Sequence, residues 1–215
     1  MNMFKRLPIH IGIIPDGNRR WAQSNGLKKE EGYDYGIKPG FELYKECLNL
    51  GIKEITFYGF TQDNTKRPAV QTTAFQQACV DSVLKLREYD ANLLIVGNTD
   101  SHLFPKELKP YTSRTSFGKG LINVNFLVNY GWNWDLDYAK NINKKNISSR
   151  IASSDISKID LIIRWGGRRR LSGFLPIQSI YADFYIIEDM WPDFKLEHLH
   201  ESLKWYQSQD ITLGG

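Results

Sequence analysis

The sequence predicts an α/β protein of one domain over residues 1–215, built on a six-stranded, mostly parallel sheet covered by helices on both faces. Two observations carry this reading. Short apolar runs rich in Ile, Leu and Val alternate with segments of helical period, the pattern of right-handed crossovers between parallel strands. Polar and charged residues also gather just after several of the runs, where an open α/β sheet places its ligand site.

The first run, 10–14, reads as a buried strand. Pro15 then fixes φ, Gly17 tolerates unusual backbone angles, and Asn18 reads as the N-cap of a following helix. A charged loop, Lys28-Lys29-Glu30-Glu31-Gly32-Tyr33, leads into a helix whose apolar stripe is Ile37, Gly40, Phe41, Tyr44 and Leu48, ended by Gly51. A second strand, 52–60, runs into the polar turn 61–68. Thr72 or Thr73 then caps a long helix to about Tyr89, with a stripe of Phe75, Cys79, Ser82 or Val83, and Leu86. A third strand covers 92–96, weaker helical character occupies 105–119, and a fourth strand covers 121–129. The Asn-, Lys- and Ser-rich stretch 132–155 reads as short helices separated by loop. Strands at 160–165 and 183–187 and a closing amphipathic helix at 196–207, on Leu196, Leu199, Leu203 and Tyr206, complete the chain.

Composition sets the class. Of 215 residues 41% are hydrophobic and 24% charged, ordinary for a soluble globular protein. No run approaches a membrane span and no secretory pattern opens the chain, so a cytoplasmic protein is expected. Cys47 and Cys79, each on an apolar helix face, read as reduced core residues, and the four scattered histidines suggest no metal site. A net charge of +4 suits an anionic substrate, a nucleic acid or an acidic membrane surface without choosing among them. No nucleic-acid module is visible.

The turns at the carboxyl ends of the strands carry the chemistry: Asp16, Asn18, Arg19 and Arg20 after the first; Thr61, Asn64 and Arg67 after the second; and Arg164, Arg168, Arg169, Arg170 and Ser172 after the fifth. Asp183 opens the sixth. Arginines grip phosphate oxygens bidentately, and isolated carboxylates hold a Mg2+ that bridges them. The element 16–21 fits a tight turn with a capped helix equally well, and 166–170 also fits a solvated basic turn.

Asp16-Gly17-Asn18-Arg19-Arg20-Trp21 after an Ile-Ile strand resembles the signature of the cis-prenyltransferases, the undecaprenyl diphosphate synthase family. The segments 58–68, 160–174, 180–185 and 190–194 are similar to further family motifs in the same order. The resemblance implies a cis-prenyltransferase-like fold and a Mg2+-dependent isoprenyl diphosphate synthase joining an allylic prenyl diphosphate to isopentenyl or dimethylallyl diphosphate. It implies that Asp16 and Asp183 hold the metal, that Asn18, Asn64 and Arg67 assist catalysis, and that Gly17, Arg19, Arg20 and Lys29 cradle the allylic diphosphate. Trp21 supports that loop, Tyr33 and Thr61 line the site, and Arg164, Arg170 and Ser172 grip the second diphosphate. A homodimer with at most peripheral membrane contact, and no nucleic-acid partner, belongs to the same expectation.

The chain departs from the family pattern at four places. Asp183 replaces a Glu, Tyr33 a His, and Thr65 a Trp, and Thr212-Leu213-Gly214 stands where relatives have an Arg-x-Gly. Tyr33 and the Arg19-Arg20-Trp21 form resemble the lavandulyl-type members, which join two C5 units head-to-middle. A short- to medium-chain product, an irregular head-to-middle product, and a non-catalytic prenyl-diphosphate-binding or partner subunit are the readings left open.

Overall fold

The structure, a computed structural model, describes residues 4–139 and 144–210. The departure at 212–214 and part of the Asn- and Lys-rich stretch, 140–143, lie outside the described residues. Five of the six expected strands are parallel neighbours within a residue or two of their expected bounds: β1 (His10–Ile14), β2 (Glu54–Tyr58), β3 (Ala91–Val96), β5 (Ile122–Leu127) and β6 (Leu161–Arg164). The sixth, β7 (Asp183–Ile186), pairs parallel with β6 at one edge.

A seventh strand was not expected. β4 (Thr115–Phe117) pairs antiparallel with β3 at the far edge, giving the order β4-β3-β5-β2-β1-β6-β7. Three half-exposed residues carry too little periodicity to announce a strand, and pairing with Ala91–Leu93 makes them one.

The helices are α1 (Asn18–Ser24), α2 (Gly32–Tyr35), α3 (Ile37–Leu50), α4 (Ala69–Leu86), α5 (Trp132–Asp137) and α6 (Leu196–Gln207). The stop at Gly51, in the left-handed region at φ 78°, is as expected, and so are the bounds of α6. α4 begins three residues before the expected caps: Pro68 precedes its first residue, and Thr72 is buried inside it.

The sheet faces are unequally covered. Odd-numbered residues such as Ile11, Ile13, Ile55 and Phe57 pack under α3, α4 and α6 through Phe41, Leu43, Tyr44, Val83, Leu199 and Leu203. Ile14, Leu94, Val96 and Ile162 face the other way, against Tyr130, Ile156, Ile159, Phe174 and Leu175. Among the described residues this second face is covered by turns and the short α5, and the long helices lie on the first. Gly12 makes that cover possible: a Cβ there would stand 2.5 Å from the Phe174 ring.

The connection from β1 leaves the sheet toward β2, whereas that from β6 leaves in the opposite direction toward β7. The crevice between β1 and β6, at their carboxyl ends, is therefore the topological switch point.

The amino half of the second face holds a buried polar network. His10 Nε2 lies 2.8 Å from Thr56 Oγ1, Asn125 Nδ2 donates to Glu54 Oε1 (2.7 Å) and to Thr56 Oγ1 (2.9 Å), and Arg114 donates to Asn125 Oδ1 (3.0 Å). Burial lowers the His10 pKa from its usual 6.5, against the pull of Glu54 and Asp160. Because the unfolded chain takes up a proton that folded His10 resists, this contribution to stability is complete above about pH 7 and shrinks as pH falls through about 6.5. His10→Gln is expected to lower the urea midpoint at pH 8 and to flatten its decline between pH 7 and 5.5; an equal decline in both proteins would place the titration elsewhere.

Candidate active site

The switch point is spanned by one ion pair. Ile14 and Arg164 are register partners at the ends of β1 and β6, and two residues beyond Ile14 the carboxylate of Asp16 accepts from Arg164 Nη2 at 2.8 Å. Arg164 is 4% exposed; its Nη1 also donates to Ser172 Oγ (2.9 Å) and to the Arg170 carbonyl, while Nε has no partner among the described residues. One guanidinium thus ties the loops after β1 and β6 together.

Asp16 Oδ1 accepts the Gly17 amide at 2.7 Å and lies 3.7 Å from Arg20. Gly17 stands at φ 108°, and a Cβ would come within 2.8 Å of the Met190 Cβ, so both backbone and space require glycine. The expected cap is corrected here. Gly17 occupies the N-cap position, and Asn18 is the first helical residue, its Nδ2 donating back to the Pro15 carbonyl at 2.9 Å. Asn18 Oδ1 is buried without a partner among the described residues.

Arg20 donates to the Gly166 carbonyl (2.9 Å) and Arg19 to Gln71 Oε1 (3.0 Å) on the first turn of α4. Trp21 Nε1 donates to Asp193 at 2.7 Å and its ring leans on Tyr35, so it braces the wall from behind. After β2, the Thr61 amide donates to Asn64 Oδ1 at 3.0 Å, which leaves the Asn64 Nδ2 for a ligand. Arg67 Nη1 donates to the Tyr33 hydroxyl at 2.8 Å. Burial lowers the Arg67 pKa and raises that of Tyr33.

These groups border a cleft of about 510 Å³. Its lining carries Arg19, Arg20, Lys29, Arg67, Arg164, Arg168 and Arg170 against two carboxylates, Asp16 and Asp63, and Thr61, Asn64 and Ser172 lie along it. Arg169 turns out to Glu188 instead. Beside the cleft lies an apolar chamber of about 80 Å³, lined by residues such as Ile37, Phe41, Tyr44, Phe57, Leu86 and Phe126. Pro15, Asn18, Tyr33, Gly59 and Phe75 border both spaces. A strongly cationic cleft opening on a small apolar chamber suits a ligand with an anionic head and a short apolar tail.

Asp183 is not brought to Asp16. It pairs with Leu161 at the amino end of β6, three register positions from Arg164, and sits near Arg6 and Asp160. Three strand positions alone separate them by about 10 Å, so within one chain the two carboxylates do not share a metal site. The error lay in counting a residue that opens a parallel strand with residues that close one.

Among the described residues no three His, Cys, Asp or Glu side chains cluster as metal ligands. Asp16, one-third exposed beside the cationic cleft, fits the common mode of Mg2+ binding, in which one or two carboxylates share the ion with substrate phosphates and water.

Sequence reasoning did not single out Tyr58, Gln71 or Phe75 as site residues. Tyr58 donates to the Ser172 carbonyl at 2.8 Å and Gln71 holds Arg19. Only the inward-facing Tyr at the end of β2 and the Gln on the first turn of α4 hinted at them.

Comparison with known proteins agrees with the geometry. The family model for putative undecaprenyl diphosphate synthase matches residues 14–214. The chain is 34% identical to an isoprenyl transferase of Clostridium tetani, with 97% of this chain and 90% of that protein covered. It is 30% identical to a ditrans,polycis-undecaprenyl-diphosphate synthase specific for (2E,6E)-farnesyl diphosphate from Aliivibrio fischeri, over 97% of this chain and 89% of that one. Its fold is similar to that of lavandulyl diphosphate synthase from Lavandula x intermedia, solved in complex with dimethylallyl diphosphate, with a TM-score of 0.84 at 22% identity over 97% of this chain and 99% of that one. From the signature after β1 to the fold as a whole, the chain belongs to the undecaprenyl diphosphate synthase family of prenyltransferases.

Proposed function

We propose that the chain is a Mg2+-dependent isoprenyl diphosphate synthase that joins an allylic prenyl diphosphate to a second C5 diphosphate with release of diphosphate. The observation that carries this reading is the contiguity of the two spaces: seven basic side chains line the cleft, and an apolar chamber opens from it past Asn18, Tyr33 and Phe75.

The residues divide the work. Arg19, Arg20 and Lys29 hold the allylic diphosphate, with Arg67 oriented by Tyr33 and Arg19 by Gln71. Arg164, Arg168, Arg170 and Ser172 hold the second diphosphate. When bound, Mg2+ at Asp16 supplies Lewis-acid stabilisation of the departing diphosphate. The allylic C–O bond breaks as charge builds on the leaving oxygens, where the arginines stabilise it. The double bond of the second substrate then forms the new C–C bond, and that substrate loses a proton. Among the described residues no histidine lines the cleft, Asp16 is ion-paired and Asp63 is bound to Lys66 at 2.7 Å, so the proton is assigned to the diphosphate oxygens. Positioning two reactants accounts for much of the rate.

A second reading, head-to-middle coupling of two dimethylallyl units, is favoured by the small size of the chamber. A homodimer and a cytoplasmic location belong to the proposal as family expectations; among the described residues no helix is long and apolar enough to cross a membrane.

Asp16→Asn, which keeps an acceptor for Arg164, is expected to retain the thermal midpoint within a few degrees while losing about 100- to 1,000-fold in Mg2+-dependent turnover. Near-normal turnover would remove Asp16 from the metal role. Mass analysis of products from dimethylallyl, geranyl and farnesyl diphosphates, each with and without isopentenyl diphosphate, is expected to yield a prenyl diphosphate. Dependence on isopentenyl diphosphate marks elongation, and a product from dimethylallyl diphosphate alone marks head-to-middle coupling. No product from any combination would defeat the proposal.

A further inference from the structure

Tyr58 closes β2 and borders the cleft, on the same sheet face as Ile14. β1 separates its strand from β6, yet its hydroxyl donates at 2.8 Å to the Ser172 carbonyl, in the loop after β6. Beside the Asp16–Arg164 pair, this is a second tie across the switch point.

The loop it holds is bent against the preference of its own residues. Ser172 stands at φ 56° and Leu175 at φ 37°, in the left-handed region that L side chains rarely adopt. Ser172 Oγ accepts from Arg164 Nη1 at 2.9 Å, and the Arg170 carbonyl accepts from the same nitrogen. Those contacts fix the Ser172 side chain and the start of the loop, whereas the Tyr58 hydroxyl fixes the peptide that follows Ser172. Because its oxygen accepts from Arg164, the Ser172 hydroxyl keeps its proton to donate to a phosphate oxygen in the cleft that it lines.

Tyr58 is itself held. Its ring leans on the fully buried Phe174, with centroids 5.1 Å apart, and meets Tyr130 edge-on at 6.3 Å. Tyr130 is anchored in turn: its hydroxyl donates at 2.7 Å to Asp135, a buried carboxylate that also accepts the amide and hydroxyl of Ser153. Burial and the nearby Asp63 push the Tyr58 pKa up, so the hydroxyl stays a donor across the working pH range. The groups assigned to the first diphosphate are held by other means, Arg19 by Gln71, Arg67 by Tyr33 and Asn64 by the Thr61 amide. Losing the Tyr58 hydroxyl therefore loosens the loop after β6 and leaves those contacts in place.

We infer that Tyr58 is a positioning residue for the second diphosphate: by holding the Ser172 carbonyl it sets the Ser172 hydroxyl, and through it the Arg164 guanidinium, for that group. The inference rests on the synthase reading.

The test is calorimetric binding of two probes in the presence of Mg2+: isopentenyl diphosphate, and the unreactive thiolodiphosphate analogue of dimethylallyl diphosphate. Tyr58→Phe keeps the ring and removes only the hydroxyl. It is expected to weaken isopentenyl diphosphate about tenfold and to leave the allylic analogue within about twofold. In a Ser172→Ala background the same substitution is expected to cost less than about threefold, because the hydroxyl it positions is gone. A scaffold role would instead weaken both probes and cost as much in either background. Unchanged isopentenyl diphosphate affinity in Tyr58→Phe, equal losses for both probes, or the full loss retained beside Ser172→Ala overturns the inference and leaves the synthase reading standing. So does a wild type that binds only the allylic analogue. If wild type binds neither probe, the synthase reading fails and the inference with it.

Discussion

Everything at the functional end of this molecule hangs on a guanidinium that has left water. Arg164 closes β6 almost fully buried, and such a charge persists only where its hydrogen-bonding capacity is met. Asp16 supplies the counter-charge across the crevice, and Ser172 and the Arg170 carbonyl supply two more acceptors from the loop just after Arg164 itself. The register between β1 and β6 brings the first pair within reach, so sheet topology and active-site chemistry meet at one contact. The Nε, without a partner among the described residues, is capacity left over at the edge of the cleft. Ser172 at φ 56° and Gly173 at φ 78° show how sharply the loop must turn to bring its acceptors back to Arg164.

Around that pair the cleft is a concentration of positive charge kept in place by neutral groups. Gln71 holds Arg19, the Tyr33 hydroxyl holds Arg67, and the Gly166 carbonyl holds Arg20. Neutral acceptors fix each guanidinium without cancelling its charge, which a carboxylate partner would do. The cleft therefore keeps the field that draws in and orients polyanions. Asp16, paired with Arg164 and 3.7 Å from Arg20, is the carboxylate used inside the cleft, whereas Glu188 turns Arg169 out of it.

Much of this was legible in the chain. Apolar runs marked the six longer strands, because the five inner ones, largely buried on both faces, leave near-continuous hydrophobic segments, and the cations after them marked the edge that binds ligand. The parts that were not legible depended on tertiary context. β4 exists only because Ala91–Leu93 offers it an edge. Asn18 had the chemistry of a cap, but Gly17 took the position because Met190 crowds it and the turn needs a positive φ. Asp183 shares a motif with strand residues yet stands at the wrong end of its strand, a distinction of a few residues in sequence and about 10 Å in space. The chamber was invisible altogether, since Phe41, Phe57, Phe75 and Phe126 come from two helices and two strands and read singly as core.

The two compartments are also written in different parts of the chain. The cations of the cleft sit on α1, at the end of β6 and on the loops after α1, β2 and β6, whereas the chamber beyond its mouth is built from α3, α4 and the bodies of β2 and β5. Substitutions in the body of the chamber, away from the residues that border both spaces, leave the cations of the cleft in place. Product length can therefore drift over generations while the reaction stays the same, so a lineage can diversify its lipids by altering a few apolar side chains without reinventing its catalyst.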